Sequence, residues 1–301
     1  MEPPENLFTS ECHTARRESR CRATRVVDSR QVDLWCLYPR EANDEALLAR
    51  YHALLDESER EQELRLYFAH DRRRHVMTRA LVRTVLSRYV DIDPREWTFK
   101  VNRHGRPEIV NPQPAAQSLT FSVAHTNGLV VLGVAHERAL GVDAENICMH
   151  EAAVELSDRF FAAEEAESIM TLPRDRQQRR FFECWTLKES YMKARGTGMA
   201  LPMDQFSFRF PREDQVAMSI HPALNDLPER WQFWQFCLSS KFVLAVCAAR
   251  LLLEPPRLVV RQVVPLMSER EIDASPLRVL EPAPPECGAR VPAMEAQEEL
   301  Q

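Results

Sequence analysis

The spacing of apolar positions divides the chain into helical and extended stretches. Residues 32–39, VDLWCLYP, are rich in β-branched and aromatic side chains and close at Pro39, which predicts a strand. From 44 to 90 the period is helical. Leu47, Leu48, Tyr51, Leu54 and Leu55 recur at helical spacing, as do Val76, Ala80, Leu81, Val85 and Leu86. Asp93-Pro94 ends this region. Short extended runs follow: WTFKV, LTFSVA, LVVLGVA and ALGVDAE. Asn127-Gly128, between the second and third, predicts a tight hairpin. Helical text returns from about 151 to 195 and stops at Gly196 and Gly198, as helix C-termini do. QFSFRF, VAMSIH, WQFWQFCL and FVLAVCAAR then read as strands.

Helices followed by strands thus occur twice. This predicts an α+β chain of two halves, 29–139 and 140–252. Residues 1–28 are polar with early prolines and are expected to be disordered. Eight prolines fall between 255 and 292 among Glu, Arg and Ala, so 253–301 reads as a loose tail. RLVVRQVVPL, 257–266, is the one stretch there suited to pair as an edge strand. On this reading residues 28–252 suffice for activity.

Composition adds limits. At 45% hydrophobic residues the chain can bury a real core. No apolar run approaches the roughly 18 residues of a spanning helix, so no membrane segment is expected. The N-terminus lacks the apolar centre of a secretory signal, and its glutamates argue against a transit peptide. The eight cysteines have no regular spacing; Cys36, Cys237 and Cys247 sit in apolar runs and read as buried thiols of a cytoplasmic protein. Cys12, His13 and Cys21 lack the geometry of zinc ligand pairs. The net charge of -6 hides a basic stretch at 70–88, with arginines at 72, 73, 74, 79, 83 and 88. A nucleic-acid-binding helix is the rival reading of that stretch. The apolar face of the same helix and the acidic total oppose it, and no nucleic-acid partner is expected.

Six of the seven glycines lie between 105 and 198, among dense polar punctuation. Asp143 and Glu145 stand two apart in ALGVDAENI, so on a strand they project from one face while Val142 and Ala144 take the other. Carboxylates that close repel unless a cation lies between them, and oxygen ligands suit Mg²⁺. Two ordinary acids at a solvated strand end are the plainer alternative. On the following helix Trp185, Glu189 and Lys193 share a face at i, i+4 and i+8, so Glu189 offers a third carboxylate. Only four residues in the chain are lysines, and two of them, Lys188 and Lys193, flank Glu189. An amine is a compact charge that can hold a phosphate, which a guanidinium does with different geometry. His125 follows a strand in FSVAHTNG, and Gly105-Arg106-Pro107 reads as a turn.

Together these motifs resemble the 4′-phosphopantetheinyl transferases of the larger, surfactin-synthetase-activating (Sfp) type. In order along the chain, Gly105-Arg106-Pro107 is similar to the family's G-K-P. Ala124-His125-Thr126 is similar to its S-H-[ST], and Gly141-Val142-Asp143-Ala144-Glu145 to its G-[IV]-D-x-E. Trp185-Thr186-Leu187-Lys188-Glu189-Ser190-Tyr191-Met192-Lys193 is similar to its W-[ST]-x-K-E-[AS]-x-x-K, and Gly196-Thr197-Gly198 to its G-x-G turn. The resemblance spans roughly residues 32–250. It implies an intramolecular pseudo-dimer of two similar α+β halves with the active site in the cleft between them. It implies transfer of the phosphopantetheine arm of coenzyme A to a serine of an apo-carrier protein (acyl, polyketide or peptidyl), with adenosine 3′,5′-bisphosphate released. By the same resemblance Asp143, Glu145 and Glu189 hold Mg²⁺, Glu189 takes the serine proton, and Lys193 holds the pyrophosphate. Arg74, Arg106, His125 and Lys188 are implied coenzyme A contacts, and the protein is expected to be a monomer. Ala124 departs from the family's serine and Arg106 from its lysine. A degenerate member that binds carrier protein without transfer is the alternative within the family.

Overall fold

The computed structural model describes Arg25, residues 28–149, 154–251 and 254–280. Cys12, His13, Cys21 and most of the segment expected to be disordered at the N-terminus lie outside the described residues. Arg25, within that segment, pairs with Glu269 at 2.6 Å.

The first half opens with strand β1 (Gln31–Leu37) and continues through helices α1 (Glu45–His52), α2 (Glu57–Leu64) and α3 (Ala69–Leu86). A small hairpin of β2 (Phe99–Val101) and β3 (Pro107–Ile109) follows, then a single turn, α4 (Pro114–Gln117). Strands β4 (Leu119–Thr126) and β5 (Leu129–His136) complete it, joined at Gly128, whose φ of +93° suits glycine. The second half begins with β6 (Leu140–Asn146) and passes through α5 (Ser157–Phe160) and α6 (Ala163–Met170) to the long α7 (Arg174–Arg195). It then adds β7 (Phe206–Arg209), β8 (Gln215–Ile220), β9 (Trp231–Leu238) and β10 (Phe242–Ala249). Gly196 adopts a left-handed conformation at φ +68° and ends α7, as the sequence predicts.

Two sheets stack between two helical layers. Along β1, Val32, Leu34 and Cys36 point into the space between the sheets, while Trp35 and Leu37 point toward α1 and α3. β10 repeats the pattern: Phe242, Leu244, Val246 and Ala248 face the other sheet, while Ala245 and Cys247 face α7. Strands buried on both faces read as continuous apolar runs, which is why they were visible in the sequence. The sheets touch edge to edge as well. The Val142 amide donates to Ser122 Oγ at 3.0 Å and the Asn146 amide to Thr126 Oγ1 at 3.0 Å, which holds β6 beside β4. The mixed α+β architecture in two halves is therefore as expected.

The C-terminal segment is not a loose tail as far as it is described. Residues 257–264 form β11 (Arg257–Val264), which lies parallel to β1 in the first sheet, in the order β12-β11-β1-β5-β4 with β12 (Ser268–Glu271) outermost. The chain then returns to the second sheet as β13 (Arg278–Leu280), between β9 and β8 in the order β6-β10-β9-β13-β8-β7. Val259, Val260, Val263 and Leu280 are buried. The Arg261 guanidinium reaches the buried Asp33 carboxylate on β1, which also accepts from Tyr89 Oη at 2.7 Å. The strand expected at 257–266 thus lies inside the sheet rather than at its edge, and its partner β1 is more than two hundred residues away in the chain.

Of the cysteines assigned to the core, Cys36 and Cys247 are buried, whereas Cys237 is only half-buried and contacts Arg179 at 3.3 Å. No helix among the described residues is long and apolar enough to cross a membrane.

Candidate active site

β6 and α7 bring the acidic residues and the lysine together. Leu140, Val142 and Ala144 belong to the core between the sheets, so Gly141, Asp143 and Glu145 face α7. The two elements approach unusually closely at Gly141. A methyl group there would lie 1.9 Å from the Ser190 carbonyl oxygen and 2.5 Å from the Ala194 amide nitrogen. A glycine is therefore required where the strand meets the helix backbone. The contact sets Lys193 Nζ 2.7 Å from Asp143 Oδ1. The other Asp143 oxygen, Oδ2, is buried and receives no hydrogen bond.

The charges here interact strongly. Burial pushes Glu145 up to about 7, with the Asp143 charge adding to the effect and Lys193 opposing it. Burial and then Asp143 raise Glu189 as well, again against Lys193. For Lys193, burial alone would favour the neutral amine, but Asp143, Glu189 and Glu145 outweigh it and hold the ammonium above its ordinary value. Among the described residues, no three acidic, His or Cys side chains stand close enough together to form a ready cage for a metal ion.

The hairpin of the first half closes the other side. Asn102 Oδ1 accepts from the His104 and Arg106 amides at 2.9 and 3.0 Å, and Gly105 takes φ +86° to complete the turn. A cavity of about 340 Å³ opens between this turn, β4 and α7, bordered by Gly105, Arg106, Ser122, Glu189, Lys193 and Gly196. His125 is exposed on β4. Its ring is pushed below the usual imidazole range by desolvation and by the Arg74 charge, with a smaller push from Lys193. Arg74 itself pairs with Asp71 at 2.5 Å.

Residues 139–247 match the 4′-phosphopantetheinyl transferase superfamily, and residues 42–137 match the 4′-phosphopantetheinyl transferase N-terminal region. A phosphopantetheinyl transferase of Thraustochytrium sp. is 30% identical over 62% of this chain and 68% of its own length. This chain belongs to the 4′-phosphopantetheinyl transferase superfamily. The transferase HetI of Nostoc sp. is 28% identical over 73% of this chain and 89% of its own. The transferase Sfp of Bacillus subtilis is 28% identical over 66% and 84%. All five sequence motifs fall inside the two matched regions.

Within this transferase the structure gathers Asp143, Glu145, Glu189, Lys193, His125, Arg74 and Arg106 around one cleft between the halves. Lys188 is the exception. Expected as a coenzyme A contact, it is fully buried on another face of α7. Its Nζ pairs with Glu165 at 2.7 Å and donates to the Met203 and Phe206 carbonyls at 2.7 and 2.5 Å. Its charge is spent in the core, so it has no reach into the cleft. Arg106 lines the cavity, but its guanidinium also donates to the Lys193 carbonyl at 3.1 Å and lies against Gly196. It thus answers the free carbonyls that end α7. The arginines of the basic stretch are likewise engaged. Arg72 meets the Leu66 carbonyl, Arg73 Glu45, Arg79 Glu59, Arg83 Asp56 and Arg88 Glu269. Sequence reasoning quoted Gly141 only as part of a motif, without its packing role, and missed Ser122. A glycine inside a strand, flanked by apolar residues, was the available signal for the first.

Proposed function

We infer that this transferase moves the phosphopantetheine arm of coenzyme A to a serine of an apo-carrier protein in the cleft between α7, β6 and the β2–β3 turn. The observation that carries the reading is the Lys193–Asp143 pair at 2.7 Å, bordered by Glu189 and opening on the 340 Å³ cavity. A cation fits the acidic side of this site. Asp143 Oδ2 is buried without a donor, and burial together with the Asp143 charge pushes the neighbouring Glu145 carboxyl up to about 7. Mg²⁺ keeps several waters and takes one or two carboxylates together with substrate phosphates, so a preformed cage of three side chains is not required. Asp143, Glu145 and Glu189 would hold it. When bound, the ion would neutralise and align the pyrophosphate.

The chain's own groups do the rest. Lys193 holds the pyrophosphate and stabilises charge on the departing oxygen. Arg74 and His125 at the rim, with Arg106 along the cavity, contact the phosphates and adenine of coenzyme A. Glu189, whose proton affinity burial has raised, accepts the serine hydroxyl proton directly or through water. A bond forms between the serine oxygen and the β-phosphorus. The bond from that phosphorus to the bridging oxygen breaks, and adenosine 3′,5′-bisphosphate leaves.

Incubation with coenzyme A, Mg²⁺ and a panel of apo-carrier proteins tests this. Mass spectrometry should find a phosphopantetheine adduct on the carrier serine, and Glu189→Ala should abolish it. Carrier binding with no adduct on any carrier would instead identify a degenerate member, and full activity of Glu189→Ala would remove the assigned base.

A further inference from the structure

A second concave site lies at the other end of α7, away from Glu189 and Lys193. It has a volume of about 600 Å³ and is bordered by Arg176, Arg179 and Arg180 on α7, Arg212 after β7, and Arg278 on β13. Only Glu183 and Glu213 oppose these five cations around its wall. Glu183 is buried beneath them, 3.1 Å from Arg179, 2.9 Å from Arg180 and 3.2 Å from Arg278. Arg179 and Arg180 meet it through Nε, which fixes the direction of each guanidinium. Arg176 and Arg212 are exposed, and no ion pair engages either among the described residues. One carboxylate therefore organises three guanidinium groups without neutralising the site.

The decisive group is Arg278. It is only 7% exposed, yet its Nε is buried with no acceptor. Its Nη1 is held by Gln235 at 2.8 Å, so the side chain cannot swing away to find one. Arg278 shares the single Glu183 carboxylate with Arg179 and Arg180, so three guanidinium charges draw on one partner, and an anion in the adjoining cavity would supply the missing negative charge. Arg180 and Arg278 stack on Phe210 at 4.2 and 4.8 Å from its centroid. That ring is already covered by cations and is not offered to a nucleobase. The cavity exceeds a single phosphate and matches the size of ordinary small-ligand sites. Guanidinium forks recognise phosphate oxygens in pairs.

We propose that this pocket binds a small molecule bearing clustered phosphates, recognised by Arg176, Arg180, Arg212 and Arg278, at a site separate from the transfer cleft. The pocket is roughly 15 Å from Lys193 along the helix, ten residues at the usual rise. It does not depend on the transfer chemistry.

Inorganic pyrophosphate is the probe. Titrated into the full chain, it should give a saturable shift of the Arg278 Nε–H signal in ¹⁵N NMR. Sulfate at equal ionic strength should give little. The exposed pair Arg176→Ser and Arg212→Ser, made together, should weaken this binding at least about tenfold, the effect of losing charge-assisted contacts. Coenzyme A affinity and the transfer rate of this variant should stay at wild-type values. A thermal unfolding curve matching wild type establishes that the variant is folded. No saturable shift at Arg278 overturns the proposal, as does unchanged pyrophosphate affinity in the double variant. An equal loss of coenzyme A binding would assign the pocket to the coenzyme and also overturn it. Binding of an acidic peptide without binding of pyrophosphate would make the pocket a protein-docking site and end the small-ligand reading.

Discussion

At the scale of single residues, two lysines five positions apart do different work. Lys193 faces the cleft and touches Asp143, whereas Lys188 is buried and touches Glu165. Lys193→Arg should keep the charge but place a larger planar group against the buried Asp143 carboxylate. Turnover at saturating coenzyme A should fall about a hundred- to a thousand-fold, the cost of a lost contact to developing charge. Near-normal turnover would mean that the amine is incidental. Lys188→Met should act on stability instead. It strands Glu165 as an uncompensated buried charge, which costs about 3–5 kcal/mol. Chemical denaturation should register that loss, while any folded fraction keeps its KM for coenzyme A. Glu145 offers a direct test of the electrostatics. In protein freed of divalent ions its carboxyl should titrate near 7, because burial and Asp143 disfavour the charged form. Adding Mg²⁺ favours the carboxylate and should move that titration to lower pH, as read by carboxyl ¹³C NMR. A midpoint that does not respond to Mg²⁺ would detach Glu145 from the metal.

At the scale of elements, the site depends on how closely α7 lies on β6. Gly141→Ala would drive a methyl group into the Ser190 carbonyl, and neither backbone can yield without separating. Overpacking of this kind costs about 1–3 kcal/mol, occasionally more. The displaced helix should also lose transfer activity at temperatures where circular dichroism still reports a folded chain. Wild-type activity in Gly141→Ala would show that the spacing between strand and helix is not critical. These two elements were legible in the sequence for physical reasons. β6 alternates Val142 and Ala144 with Asp143 and Glu145, and a period of two survives any tertiary context. The i, i+4, i+8 spacing of Trp185, Glu189 and Lys193 likewise fixes a shared helical face. The partner of Lys188 was not legible. Glu165 lies on a different helix, and only packing decides that α6 covers that face of α7. β11 was legible only as a candidate edge strand: its apolar run showed, but its place inside the sheet beside β1 depends on pairing with residues far away in the chain.

At the scale of the molecule, the segment after residue 252 stitches the halves together. It gives two strands to the first sheet, then fills the gap between β9 and β8 in the second. The expectation that residues 28–252 suffice therefore meets a fold in which later residues pair with both sheets. A chain ending at 252 loses the Arg261–Asp33 pair and leaves β1 open along one edge. It should lose its cooperative thermal transition, or unfold at least about 10 °C lower, since several kcal/mol of burial and pairing disappear together. A truncated chain melting at the wild-type temperature would show that β11 to β13 add little. The same stitch orders events during synthesis. When the first half has left the ribosome, β1 has β5 on one side and nothing on the other, an open edge able to pair with another chain. Its partner β11 is translated only after the whole of the second half through β10. Neither sheet can be completed until β11 to β13 have been made, so the nascent protein depends on whatever shields that edge in the interval.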